Sequence, residues 1–240
     1  MTVRMDLSFR TVGVSVLVGV LGAASASSQL AAPRQDAPAA PRPPASSLTR
    51  PASPAKPTGT DGFIRRWLLL EPIRVPGQLT EVAVRTAVEK DFPVTATPWP
   101  RDGDTLKVGD SDLTWHAVDT TNYNVNLYHF AYALNKPTTN VLFWAVTVVN
   151  APREMSGVRL AIGSNAASVW WVNGSEATAL YNDRQAVIDD GVSKRLTLKQ
   201  GANVIRAAIV NAGGATDFCA RFLDDNDQPI KTLTATLTER

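Results

Sequence analysis

From residue 63 to residue 237 the chain is a succession of apolar runs of strand length, each closed by Gly, Pro, Asn or Asp. That pattern belongs to packed antiparallel sheets and not to helices alternating with parallel strands. Its sharpest point is Asn173-Gly174 after the run 168–172. A pair of this kind between two extended runs is the strongest short-range hairpin signal, because both turn positions take a positive φ. The return strand is 176–181. Further on, Gln200-Gly201 joins 195–198 to 203–210, Gly213-Gly214 leads to 217–223, and the turn 224–229 precedes a closing strand. About nine to eleven strands result, which two packed sheets accommodate. The expected fold class is all-β: a jelly-roll-like sandwich of two antiparallel sheets with one short peripheral helix.

That helix is expected over 79–90, where Leu79, Val82, Ala83 and Ala87 recur at helical spacing. Between 125 and 134 the residues alternate, with Tyr128, Phe130, Tyr132 and Leu134 on one face and Leu127, His129, Ala131 and Ala133 on the other. Both faces are mostly apolar, so this segment and 141–149 are expected to be central strands covered on both sides. Trp170 and Trp171 also alternate across a strand, which sends at least one of them into the core.

Ahead of the domain lie two segments of different character. Arg4 and Arg10 precede an uncharged, apolar-to-small run that ends at Ala24-Ser25-Ala26. Its glycines and serine leave it short of the roughly 20 apolar residues of a spanning helix, so residues 1–26 are expected to be a secretory signal peptide and the protein secreted or periplasmic, with no membrane attachment after cleavage. Residues 27–60 are dominated by Pro, Ala, Ser and Thr, cannot bury enough apolar surface to offset the entropy of ordering, and are expected to form a disordered Pro/Ala-rich linker. The domain is then 61–240, long enough for a single core.

With one cysteine, Cys219, the exported domain has no internal disulfide and relies on packing. Cys219 lies in the apolar run 218–223, where a thiol behaves as a small buried hydrophobe. Basic and acidic residues number 24 and 22, so the chain carries a net charge of only +2 and no nucleic-acid partner is expected.

Three stretches then occur in a familiar order: Gly62-Phe63-Ile64-Arg65-Arg66-Trp67-Leu68-Leu69-Leu70-Glu71-Pro72-Ile73, then Leu160-Ala161-Ile162-Gly163-Ser164-Asn165 followed by Trp170-Trp171-Val172-Asn173-Gly174, then Leu196-Thr197-Leu198-Lys199-Gln200-Gly201-Ala202-Asn203. Together they resemble the galactose-binding-like domain of bacterial secreted carbohydrate-active enzymes, in particular the non-catalytic domain that accompanies acetylxylan esterases. The resemblance implies an exported, non-catalytic carbohydrate-binding or accessory module with polysaccharide or another glycan as partner. It carries no fixed binding triplet onto this chain, and Asn165-Ala166 stands where many relatives have an Asp-Asp pair.

The chemistry of the residues is consistent with binding. No Gly-x-Ser-x-Gly elbow occurs beyond the leader, and the two histidines, His116 and His129, sit beside aromatics inside predicted strands. No cofactor is expected, although the turns at Asp102/Asp104, Asp110/Asp112, Asp189/Asp190 and Asp224/Asp225/Asp227 are of a kind that could hold a structural calcium. Sugar rings stack on exposed aromatic faces while Asn and Arg side chains bond their hydroxyls. Tyr123 beside Asn122, Tyr181 beside Arg184, and Trp99 between prolines are the candidate carbohydrate-binding residues. Two other readings stay beside this one: a protein-interaction module for a separate secreted hydrolase, and a carbohydrate esterase.

Overall fold

A computed structural model describes residues 47–91 and 99–238. The expected signal peptide, and the linker up to residue 46, lie outside the described residues. In chain order the elements are β1 (Leu48–Thr49), β2 (Lys56–Pro57), β3 (Arg66–Leu70), β4 (Ile73–Arg74), α1 (Glu81–Asp91), β5 (Thr105–Val108), β6 (Ser111–Thr120), β7 (Val125–Asn126), α2 (Leu127–Ala133), β8 (Val141–Ala151), β9 (Met155–Ser164), β10 (Ala167–Val172), β11 (Ser175–Leu180), β12 (Gly191–Val192), β13 (Leu196–Leu198), β14 (Gly201–Asn211), β15 (Asp217–Leu223) and β16 (Thr234–Thr236).

They form two antiparallel sheets, so the all-β sandwich expected from the turn pattern is what the chain adopts. The larger sheet runs β1-β6-β3-β8-β14-β10-β11, with β2, β4, β5 and β16 attached at its margins. The smaller runs β12-β9-β15-β7, with β13 also on β9. The β10–β11 hairpin closes at Asn173 and Gly174, both with positive φ, and pairs Val172 with Ser175.

Alternation along each strand divides the apolar side chains between two cores. Trp67, Phe143, Trp170 and Ile205 from the larger sheet face Leu160, Ile162, Phe218 and Phe222 from the smaller. The Trp67 ring meets Phe218 edge-on at 5.0 Å and Trp170 at 6.1 Å, the edge-to-face geometry that aromatic quadrupoles favour. The outer face of the larger sheet is covered as well: Leu68, Trp144, Val169 and Trp171 pack under Val84 and Val88 of α1 and against Leu113 and Trp115 of β6. Both Trp170 and Trp171 are therefore buried. This second cover is why β8 is apolar on both faces.

Three expectations are corrected. There are two helices among the described residues, because 127–133 is a helix and not a central strand. Leu127, Phe130 and Ala131 are its buried face, an i, i+3, i+4 set, and the Asn126 side chain caps it by accepting from the His129 backbone N–H at 2.7 Å. In α1 the buried face is Val84 and Val88, while Val82 is 77% exposed, so the helix is turned from the face its sequence suggested. Finally, part of the stretch read as linker belongs to the domain. Leu48 and Thr49 pair with Thr120 and Asp119, Lys56 and Pro57 pair with Ala235 and Thr234, and buried Thr58 donates through both its amide and its hydroxyl to Leu233 O. The strap is held by these backbone pairings and by the Ser53 and Lys56 contacts to Arg66 and Asp119.

Among the described residues no helix is long and apolar enough to cross a membrane. Cys219 is buried on β15, and burial pushes its thiol up to about 12, as a packing residue requires.

Candidate functional site

On β15 the residues Phe218, Ala220 and Phe222 enter the inner core, which turns Cys219 and Arg221 to the outer face of the smaller sheet. Arg221 organises that face. Its guanidinium lies 4.8 Å from the Phe63 ring centroid, a cation–π contact, and its Nη1 donates to Asp61 O at 3.1 Å. It also forms a two-pronged pair with Asp189, with Nε donating to Oδ1 at 2.9 Å and Nη2 donating to Oδ2. Such fork-to-fork pairing fixes geometry as well as charge.

Phe63 also supports Tyr123, whose ring centroid is 5.4 Å away at 46°. The Tyr123 turn is held by the Thr120 hydroxyl, which donates to Asn124 O at 2.9 Å and accepts from the Asn122 N–H at 3.2 Å. Arg65 fastens it further, donating from Nε to Asn122 O at 3.1 Å while its other nitrogens grip Asp61 at 2.8 and 2.6 Å. That grip is the main reason the Asp61 carboxyl lies below the usual carboxylate range. Tyr123 itself stays 41% exposed, a ring fixed from below and open above.

The loop between β11 and β12 reaches over the same face. Asp189 holds Arg221, and Arg184 donates from Nη2 to Asp190. The loop can lie this close only because position 163 is glycine: a Cβ there would sit 2.2 Å from Val187 O. Val187 and Ile188 at its tip are exposed.

The structure thus unites Asn122 and Tyr123 with the loop that carries Arg184, through Phe63, Arg221 and Asp189. It does not bring Trp99 and Tyr181 to that face. Both belong to the outer core over the larger sheet. Trp99 donates its indole N–H to Leu237 O at 2.7 Å and has Arg206 5.9 Å from its ring. Tyr181 lies half-buried under Arg85 at 5.8 Å, and desolvation raises its phenol above the ordinary value. Each ring is committed to protein contacts.

None of Phe63, Arg65, Asp189 and Arg221 is read as a binding residue from the sequence, where Phe63 and Arg65 figure only in the opening motif and Asp189 only in an acidic turn. The one available signal was Arg221, a lone charge in the otherwise apolar run 218–223. Tyr128 and Tyr132 were also missed as a pair: one helical turn apart on α2, their rings lie nearly parallel, 10° and 6.1 Å apart, with Tyr132 exposed. Asn165 proves to be a brace, accepting from the Asp217 N–H at 2.7 Å and donating to Ala215 O at 2.7 Å. The turns at 102–104 and 224–227 cap their own backbones, whereas Asp189 and Asp190 pair with Arg221 and Arg184. Asp224 Oδ1 accepts from the Asn226 and Gln228 N–H groups, and Asp104 from that of Arg101. Among the described residues no three His, Cys, Asp or Glu side chains come together as metal ligands would.

An exposed aromatic face beside ordered guanidinium and carboxylate groups can hold the apolar face of a sugar ring and exchange hydrogen bonds with its hydroxyls. No family model matches the chain, and no curated protein does. Among solved structures it is similar to the PA14 domain of the antifreeze protein MpAFP, with a TM-score of 0.42 and 11% identity over 78% of this chain and 94% of that one. It is also similar to the PA14 sugar-binding domain from an RTX adhesin, with a TM-score of 0.40 and 10% identity over 72% of this chain and 99% of that one. A third similarity, to the β-glucosidase from Kluyveromyces marxianus in complex with glucose, has a TM-score of 0.34 and 15% identity over 50% of this chain and 15% of that one.

Proposed function

We propose that this chain is an exported, non-catalytic carbohydrate-binding module that serves polysaccharide-degrading enzymes such as acetylxylan esterases. The observation that carries the reading is the Tyr123 ring, exposed yet braced by Phe63 and fastened through Arg65, next to the Arg221–Asp189 pair. A ring held in place before the ligand arrives loses little entropy on binding, which favours a stacking role over a merely solvated tyrosine. Asn122 and Arg184 bond the hydroxyls at its margins.

The test is a glycan-array and insoluble-polysaccharide pull-down with the exported chain, with and without calcium, alongside Tyr123→Ala. Loss of one stacking contact is worth about 0.5–1.5 kcal/mol, so binding should weaken roughly 2- to 13-fold. Wild-type affinity in Tyr123→Ala would remove this face from consideration. A second reading, docking onto a separate hydrolase, draws on the exposed Val187 and Ile188 at the loop tip. Under that reading Ile188→Asp abolishes enzyme binding and leaves polysaccharide binding intact.

A further inference from the structure

Between β4, the β5–β6 hairpin and the segment after α2 lies a cleft of about 530 Å³. Val108 and Pro137 give it an accessible apolar wall over buried Ile73 and Leu113, and Arg74, Lys136, Ser111 and Asp112 bring polar groups to it. Small-molecule sites have this make-up, an apolar wall with a few convergent polar groups, and volumes of roughly 300–1,000 Å³.

Lys136 is held in place by a buried carboxylate. Its Nζ is 2.8 Å from Glu71 Oε2, and the other oxygen of Glu71 is 3.4 Å from His116 Nε2. Desolvation pushes the Glu71 carboxyl up, but Lys136, the Thr114 backbone and His116 together outweigh it and leave it lowered. Glu71 is therefore an anchor for the ammonium, while 36% of the Lys136 side chain remains exposed. Its backbone is fixed too, donating to Ala131 O at 2.9 Å at the end of α2. Arg74 alternates with buried Ile73 on β4 and so points outward, and among the described residues it has no ion-pair partner.

We propose that this cleft binds a hexuronate unit, its carboxylate held by Arg74 and Lys136, its hydroxyls by Asp112 and Ser111, and its C–H face by Val108 and Pro137. Two carboxylates, Asp112 and Glu71, offset the two cations, so the cleft offers a bare inorganic anion little net charge. A sugar acid suits it better, because it presents an acceptor group at one end and hydroxyl donors at the other. This site shares no residue with the Tyr123 face, and either can fail without the other.

The experiment is an amide NMR titration of the full chain with the methyl glycoside of glucuronate, with its methyl ester, with methyl glucoside and with inorganic phosphate. It is repeated on Arg74→Ala, Asp112→Asn and Tyr123→Ala. Arg74 and Asp112 are exposed, so these variants keep the fold. The glucuronoside is expected to shift amides at 73, 74, 111–113 and 136, with the ester, the glucoside and phosphate at least about tenfold weaker. Arg74→Ala should weaken the glucuronoside about tenfold, and Tyr123→Ala should leave it unchanged while reducing polysaccharide binding. Equal binding of acid and ester, equal binding of phosphate, no effect of Arg74→Ala, or shifts confined to other regions would each overturn the proposal.

Discussion

Replacing Asp119 by alanine should unclasp the N-terminal strap from the sandwich. Arg66 is 1% exposed and Asp119 6%, and the two meet in a double hydrogen bond, Nε to Oδ1 at 2.8 Å and Nη2 to Oδ2 at 2.9 Å. The same guanidinium donates to Ser53 O at 2.7 Å, and Lys56 reaches Asp119 at 3.2 Å. One buried ion pair thus ties β3 and β6 to the strap between β1 and β2. Removing one partner of such a pair leaves a buried charge uncompensated and costs about 3–5 kcal/mol, whereas the half-exposed Lys56 contact adds only a few tenths to about 1 kcal/mol. For a domain of this size that corresponds to a fall in Tm of roughly 6–20 °C. Urea titration gives the free energy, and limited proteolysis reports the strap, which should be cut between 47 and 60 well before the domain is lost. The pH dependence supplies an independent check. Desolvation pushes the Asp119 carboxyl up, but Arg66 and Lys56 outweigh it, so its folded pKa lies below its unfolded value. The contribution is present above an unfolded pKa of about 3.9 and is lost as pH falls through the folded value. Wild-type protein should therefore lose stability more steeply than Asp119→Ala below about pH 4. A loss under about 1 kcal/mol, with the strap as resistant as before, would refute the clamp.

Two further perturbations test the site and the core. Gly163→Ala places a methyl 2.2 Å from Val187 O, so the 182–190 loop must lift; we expect about 1–3 kcal/mol of destabilisation in a urea titration and new proteolytic cleavage at Val187 or Ile188. Cys219, with its thiol pushed up to about 12 by burial, should resist iodoacetamide at pH 8 in the native protein and react at once in denaturant, as read by mass spectrometry.

The paired strands were legible where strand and turn agreed locally. Asn173-Gly174 specifies its hairpin outright, and the two-faced apolar run of β8 signals a layer on each side. The segment 125–134 misled because alternation and helical spacing coexist in it: Leu127, Phe130, Ala131 and Leu134 follow i, i+3, i+4, i+7 as well as any strand pattern. The capping asparagine at 126, three residues ahead of His129, was the signal that should have decided between them. The strap was illegible for a different reason. Strands of two residues are specified by the margins they join, and the partners of Ser53 and Lys56, Arg66 and Asp119, are distant in sequence.

The same distinction separates the two tyrosines. Thr121-Asn122-Tyr123-Asn124 and Tyr181-Asn182-Asp183-Arg184 are nearly interchangeable as local sequence, each an aromatic among hydrogen-bonding side chains next to a turn. Their fates diverge because α1, anchored by the Arg85–Glu176 pair with bonds of 2.9 and 3.0 Å, packs across the larger sheet and brings Arg85 over Tyr181. Phe63 and Arg65 instead support Tyr123 from beneath and beside it, leaving its other face open. Which aromatic keeps an open face is therefore a property of what packs above it. The chemical type of a binding residue is local, but its availability is tertiary, and it follows from where the helix docks.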